Sequence, residues 1–163
     1  MQQPAHCALC LMLRLKYISM LCLAASYSPS WPVAESPWLH KYPPGFRSLL
    51  RWAAGKESGR WTGPVYVTEN GWSCRSMSAE AAATDEEQVS YLRDYTEQMR
   101  LSMVEDGVDV RGYFGWAFLD NYEWSDGYSK RFGFVFVDYG TQKRTPKAAA
   151  SWFRQISHPS CSA

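Results

Sequence analysis

Two apolar runs without regular polar alternation, residues 65–68 and 110–119, flank a long segment that keeps helical spacing, and this constrains the fold most. Val65-Tyr-Val-Thr68 follows the punctuation of Gly63-Pro64 and reads as a short buried strand ending at Glu69. Val110–Leu119, VRGYFGWAFL, reads as a strand covered on both faces and ends at Asp120-Asn121. Between them, Thr84-Asp-Glu-Glu87 has capping-box spacing, and Val89, Leu92, Met99 and Met103 continue at helical intervals until Gly107. Strand, helix, strand in that order predicts parallel strands joined by a crossover helix.

The flanks repeat the pattern. Pro44 is placed to open a helix, with Phe46, Leu49, Leu50 and Ala53 on one stripe before Gly55 and Gly59. Residues 131–139, RFGFVFVDY, form a further extended segment, and Gly140-Thr-Gln supplies a turn. Thr145-Pro146 then reads as N-cap and first residue of a last helix, with Ala149, Trp152, Phe153 and Ile156 on one face. The predicted class is α/β.

A turn-rich connector holding Pro29, Pro32, Pro37, Pro43 and Pro44 separates an N-terminal segment, residues 1–35, from a regular body over 36–157 and a tail at 158–163. Within 7–25, Arg14 and Lys16 split the apolar run into pieces too short to span a bilayer, and the remaining signal-like pattern is weak. Cytoplasmic and secreted locations both stay open. Five cysteines give no disulfide framework, and Cys7-Ala-Leu-Cys10 lacks a second Cys or His pair at metal-site spacing. Net charge is +1 and no Lys/Arg run exceeds two residues, so neither nucleic acid nor an anionic membrane is expected as a partner.

With 15% aromatic residues, including 8 Trp and 10 Tyr, the chain has a composition that suits sugar faces, although buried core aromatics are the commoner explanation. In parallel α/β folds chemistry gathers beyond the carboxyl ends of strands. Two stretches occupy such positions: Glu69-Asn-Gly-Trp72 and Asp120-Asn-Tyr-Glu-Trp124. Alone, the first reads as a turn with a solvated carboxylate. The second sets Glu123 beside Trp124, with Trp116 a little upstream; a carboxylate accepts from vicinal sugar hydroxyls and an indole stacks on a pyranose. The plain alternative leaves Trp116 in the core and Glu123 as a surface charge.

The segments VYVTENG, RGYFGWAFLDNYEWSDGYSKRFGFVFVDY and KRTPKAAASWF resemble the C-terminal part of glycoside hydrolase family 1, the β-glucosidase family. WLHKYPPGFRSLLRWA, residues 38–53, is similar to the stretch before that family's nucleophile strand. The resemblance covers about residues 38–153. It implies part of a (β/α)8 TIM barrel, equivalent to its last two βα units with strands 7 and 8. It further implies a retaining hydrolase acting on β-glucosides or small oligosaccharides, with no metal or cofactor. By resemblance Glu69 is the nucleophile, while Trp116, Glu123, Trp124 and Phe132 bind the sugar. The family's acid/base lies in an Asn-Glu-Pro sequence, which does not occur here. A complete barrel needs about 250 residues, and this chain has 163. A truncated family member with impaired activity is therefore expected, or else a non-catalytic remnant serving as a carbohydrate-binding or interaction module.

Overall fold

A computed structural model describes residues 28–57, 59, 61–75 and 77–157. The Cys7/Cys10 pair, the apolar run at 7–25 and the tail at 158–163 lie outside the described residues. The described residues form two compact units. One holds those up to Asn70 together with Arg93–Gly115, and the other holds Gly71–Leu92 and those from Trp116 onward.

In the first unit, helix α1 (Pro43–Ala53) opens on prolines, whose missing N–H groups would be unsatisfied there in any case. Its predicted stripe is real: Phe46, Leu50 and Ala53 are buried, and Phe46 meets Tyr95 with ring centroids 5.3 Å apart. Arg47 grips Asp106 through two hydrogen bonds, Nε to Oδ2 at 2.7 Å and Nη2 to Oδ1 at 2.9 Å. Ahead of α1 a small clasp closes through Ala34 N to Leu39 O and Lys41 N to Pro32 O, and Trp31 stacks on Tyr42 at 4.2 Å.

Strands β1 (Val65–Asn70) and β2 (Val110–Gly115) pair in parallel, with Val65 opposite Val110 and Val67 opposite Tyr113. Parallel neighbours need a long connection, which the intervening helices supply. The strands differ from the sequence expectation in two ways. β1 extends through Glu69 to Asn70. β2 stops at Gly115, short of Leu119, and Phe114 stays exposed, because these two strands form a sheet of their own with an open face among the described residues.

The second unit contains α2 (Ala79–Ala83), an element the sequence reading missed, capped by Ser78 Oγ accepting from Ala81 N at 3.2 Å. Thr84 ends this helix, donating its hydroxyl to Ala81 O, and so is not the cap of the next one. Asp85 takes that role: its Oδ1 accepts from Glu87 N at 2.9 Å where α3 (Glu86–Val104) begins. An Asp side chain competes well with Thr for the position, and one residue of offset decides it. The first two turns of α3, Glu86–Leu92, thus belong to this unit and its remainder, from Arg93, to the other.

Strand β3 (Val135–Val137) pairs antiparallel with β4 (Arg144–Pro146) across a turn in which Asp138 Oδ1 accepts from Gly140 N and Thr141 N. Thr145 and Pro146 therefore lie in a strand rather than at the helix start; an edge strand tolerates Pro, whose absent N–H faces away from the ladder. Helix α4 (Ala148–Ser157) follows, with Ala149 buried and Phe153 packed on Phe134 at 5.3 Å, whereas Ile156 is exposed.

Candidate active site

Glu69 is the penultimate residue of β1 and is half-buried. Burial raises its carboxyl above the ordinary glutamate value. The next residue, Asn70, is buried, and its Oδ1 accepts from Tyr113 Oη of β2 at 2.7 Å. The β1–β2 register is irregular between Val67 and Asn70, which breaks the strict alternation of side chains where Glu69 sits. Tyr113 is itself held protonated to higher pH by burial, so it is a donor to Asn70 at neutral pH.

The remaining candidate residues belong to the second unit. Trp116 donates its indole N–H to Glu123 Oε1 at 3.2 Å. The Trp116–Ala117 peptide is cis. A 3-10 turn over Trp124–Asp126 is closed by Glu123 N to Gly127 O at 2.7 Å and Gly127 N to Trp124 O at 3.1 Å. This turn buries Glu123 and pushes Trp124 out to 82% exposure, with Trp124 in the left-handed region at φ +47°. Burial lifts the Glu123 carboxyl above its usual value, against the pull of hydrogen bonds from Trp116 and Asn121. Phe132 is buried, and its carbonyl accepts from Ala117 N at 3.0 Å and Gln88 Nε2 at 2.9 Å.

Trp116 and Glu123 are thus brought into contact, Trp124, next to Glu123 in the chain, presents an open indole, and Phe132 is buried with its carbonyl tied to Ala117 and Gln88. A buried carboxylate oriented by an indole N–H, beside an exposed indole face, can accept from sugar hydroxyls and cover an apolar sugar face.

Sequence reasoning missed what holds this loop. Asp120 is fully buried and accepts from Arg131 Nη1 at 2.9 Å, Lys147 Nζ at 2.9 Å, Gly133 N at 2.9 Å and Val137 N at 3.3 Å. Arg131 also donates to Val137 O at 2.8 Å and lies over the Phe136 and Tyr139 rings. Gln88, buried in α3, donates to the carbonyls of Trp72 and Phe132. No local period marks such partners, since Asp120 and Lys147 lie 27 residues apart. Two close approaches demand glycine: a Cβ at Gly71 would come within 1.8 Å of Trp116 O, and one at Gly133 within 2.0 Å of Asp120 N.

Residues 14–160 match the model of Glycosyl hydrolase family 1. The chain is 46% identical over 125 residues to beta-glucosidase 1B of Phanerodontia chrysosporium, covering 75% of this chain and 22% of that relative. It is 44% identical over 133 residues to beta-glucosidase 12 of Oryza sativa subsp. indica, covering 78% and 25% respectively. Among solved structures, a GH1 beta-glucosidase from Humicola insolens in complex with glucose superposes with a TM-score of 0.73 at 41% identity, covering 79% of this chain and 27% of that one. A rice Os3BGlu6 beta-glucosidase gives 0.70 at 42% identity, covering 76% and 26%.

The chain belongs to glycosyl hydrolase family 1. Its fold is α/β and corresponds to part of the family's barrel. It spans about a quarter of the length of the curated relatives it matches. Among the described residues no helix is long and apolar enough to cross a membrane.

Proposed function

We propose that this chain carries the nucleophile and sugar-binding side of a retaining β-glucosidase site, acting on terminal β-D-glucosyl residues of glucosides or small oligosaccharides. The observation that carries the reading is the Trp116–Glu123 hydrogen bond beside the open face of Trp124. Within it, Glu69 attacks the anomeric carbon, Glu123 accepts from the sugar's outer hydroxyls, Trp116 and Trp124 cover its apolar face, and Phe132 contributes a further aromatic group to the sugar pocket. We assign residues 36–157 to the barrel portion, with β1 and β2 as its seventh and eighth strands. Their parallel pairing and the helices between them support that assignment.

Retention of configuration uses two carboxyls about 5–5.5 Å apart, one attacking and the other first protonating the leaving oxygen and later activating water. Glu69 is the attacking group. The family's Asn-Glu-Pro does not occur in the 163 residues, so these residues supply attack without acid assistance. Bond cleavage by this chain then requires a leaving group that departs as a stable anion. No metal or cofactor enters the scheme.

The test uses a dinitrophenyl β-glucoside carrying fluorine next to the anomeric carbon, which slows breakdown of the glycosyl-enzyme. The expected result is a mass increase of one fluoroglucosyl group, mapped to Glu69 and missing from Glu69→Gln. A chain that stays unlabelled loses the nucleophile assignment. The second reading, a carbohydrate-binding module, is favoured by the same Trp116–Glu123 pair, which needs no chemistry to hold a sugar. It stands if the unlabelled chain still binds glucose and Trp116→Ala abolishes that binding.

A further inference from the structure

We propose that the cleft beside the β3–β4 turn is a second ligand site, built for a saccharide that bears a carboxylate: a uronic acid residue. The cleft encloses about 440 Å³, within the range of small-molecule sites. Its lining residues are not those of the Trp116–Glu123 pair.

Three tyrosines in ring contact line the cleft. Tyr128 lies 4.6 Å from Tyr139 and meets Tyr122 edge-on at 5.5 Å, so each ring fixes the next. Tyr139 Oη is occupied, donating to Asn121 O at 3.3 Å. Tyr122 and Tyr128 are more than half exposed, at 61% and 56%, and their hydroxyls have no protein partner among the described residues. Flat rings with free hydroxyls at the rim match the C–H face and hydroxyl edge of a pyranose.

Arg144, in the same lining, supplies the charge. Arg144 donates through Nη1 to Gln142 O, and its other N–H groups have no protein partner among the described residues. Gln142 is itself anchored: its backbone sits in the left-handed region at φ +62°, its amide N donates to Asp138 O at 2.7 Å, and its side chain donates to Tyr139 O at 2.9 Å. Asp120 borders the cleft, but its carboxylate is fully covered and engaged by Arg131 and Lys147. Arg144 is therefore the one formal charge that the lining presents to a ligand. A guanidinium fork pairs with a carboxylate through two parallel hydrogen bonds, a geometry that neutral hydroxyls do not satisfy. A neutral sugar would use the rings and leave Arg144 unmatched, and a simple aliphatic acid would do the reverse. A uronic acid uses both.

The experiment titrates the whole chain with glucuronate, followed by calorimetry and by amide chemical shifts. Glucuronate is expected to bind in the millimolar range, with shifts centred on Asn121, Tyr122, Tyr128 and residues 139–144 rather than on Trp116, Glu123 and Trp124. Glucose is expected to bind this cleft about tenfold more weakly, and Arg144→Gln to weaken glucuronate by about fivefold to tenfold. Arg144→Lys recovers part of the loss, since it keeps the charge without the fork, and Tyr128→Leu weakens binding comparably. Lys143→Gln, an exposed neighbour outside the cleft, leaves the affinity unchanged and so controls for general charge. The proposal is overturned if glucuronate produces no shifts there, if Arg144→Gln binds it as wild type does, or if glucose binds equally well. Displacement by benzoate at matching concentration would overturn the saccharide part, because the rings would then be serving a simple aromatic acid.

Discussion

Trp116 donates its indole N–H to Glu123 Oε1 across 3.2 Å, so the two groups proposed to hold the sugar also orient each other. Trp116→Phe keeps an aromatic ring and removes the donor. A hydrogen bond to a charged group contributes about 1.5–3 kcal/mol to stability, and without it Glu123 is no longer held in place, so glucose affinity should fall. The Glu123 carboxyl, already raised by burial, should titrate higher still. Calorimetry and carboxyl NMR titration check both; an unmoved Glu123 midpoint would show that the indole is not engaged.

The same carboxyl has a stability signature. Its folded pKa lies above the unfolded one, so native Glu123 retains its proton to higher pH than the unfolded chain does. The associated stability is present below the unfolded value and is lost as pH rises through the folded one. Glu123→Gln removes that loss while keeping an acceptor for Trp116. Between about pH 4 and 7, where glutamates of ordinary and raised pKa titrate, its urea midpoint should lose less than that of wild type.

Glu69 should reveal its environment through the labelling rate. Attack requires the carboxylate, and burial raises the pKa, so the rate should climb with pH through a midpoint above the ordinary glutamate value of about 4.3 and then level off. Adduct formation followed by mass spectrometry gives the profile. A midpoint at or below that ordinary value would contradict the burial of the group.

Asp120→Asn should be the most damaging conservative change in the second unit. It leaves Arg131 and Lys147 buried around a neutral amide, and breaking one partner of a buried ion pair costs about 3–5 kcal/mol. The exposed Asp126→Asn should change stability by no more than about 0.5 kcal/mol. Urea unfolding of the two variants makes the comparison, and similar midpoints would deny Asp120 its anchoring role.

Gly71→Ala puts a methyl group 1.8 Å from Trp116 O, a backbone atom with no side-chain freedom to yield. The expected cost is about 1–3 kcal/mol, and Trp116 must shift with its carbonyl. Thermal unfolding and glucose titration should therefore both respond. A variant with lowered stability and normal glucose binding would separate Gly71 from the site.

The regular elements were legible wherever one face of a local segment repeats. Phe46, Leu50 and Ala53 announced α1, the apolar runs announced β1 and β2, and the segment between them announced a parallel pair. Legibility failed where neighbouring residues compete for one role: Asp85 displaced Thr84 as the cap of α3, and Thr145-Pro146 joined β4 instead of opening α4. Glu123 and Trp124 were visible as residue types after a strand, and the family resemblance gave them roles.

Sequence by itself determined the alternation of elements, the family and the identity of the candidate groups, because these depend on short-range period and on motif. Tertiary structure decided the state of those groups. Only folding brings Lys147 and Arg131 onto Asp120, sets Tyr113 on Asn70 and turns the Trp116 N–H onto Glu123. Such contacts join residues from separate elements, and burial, which no local spacing encodes, then sets the strength of each charge and hydrogen bond.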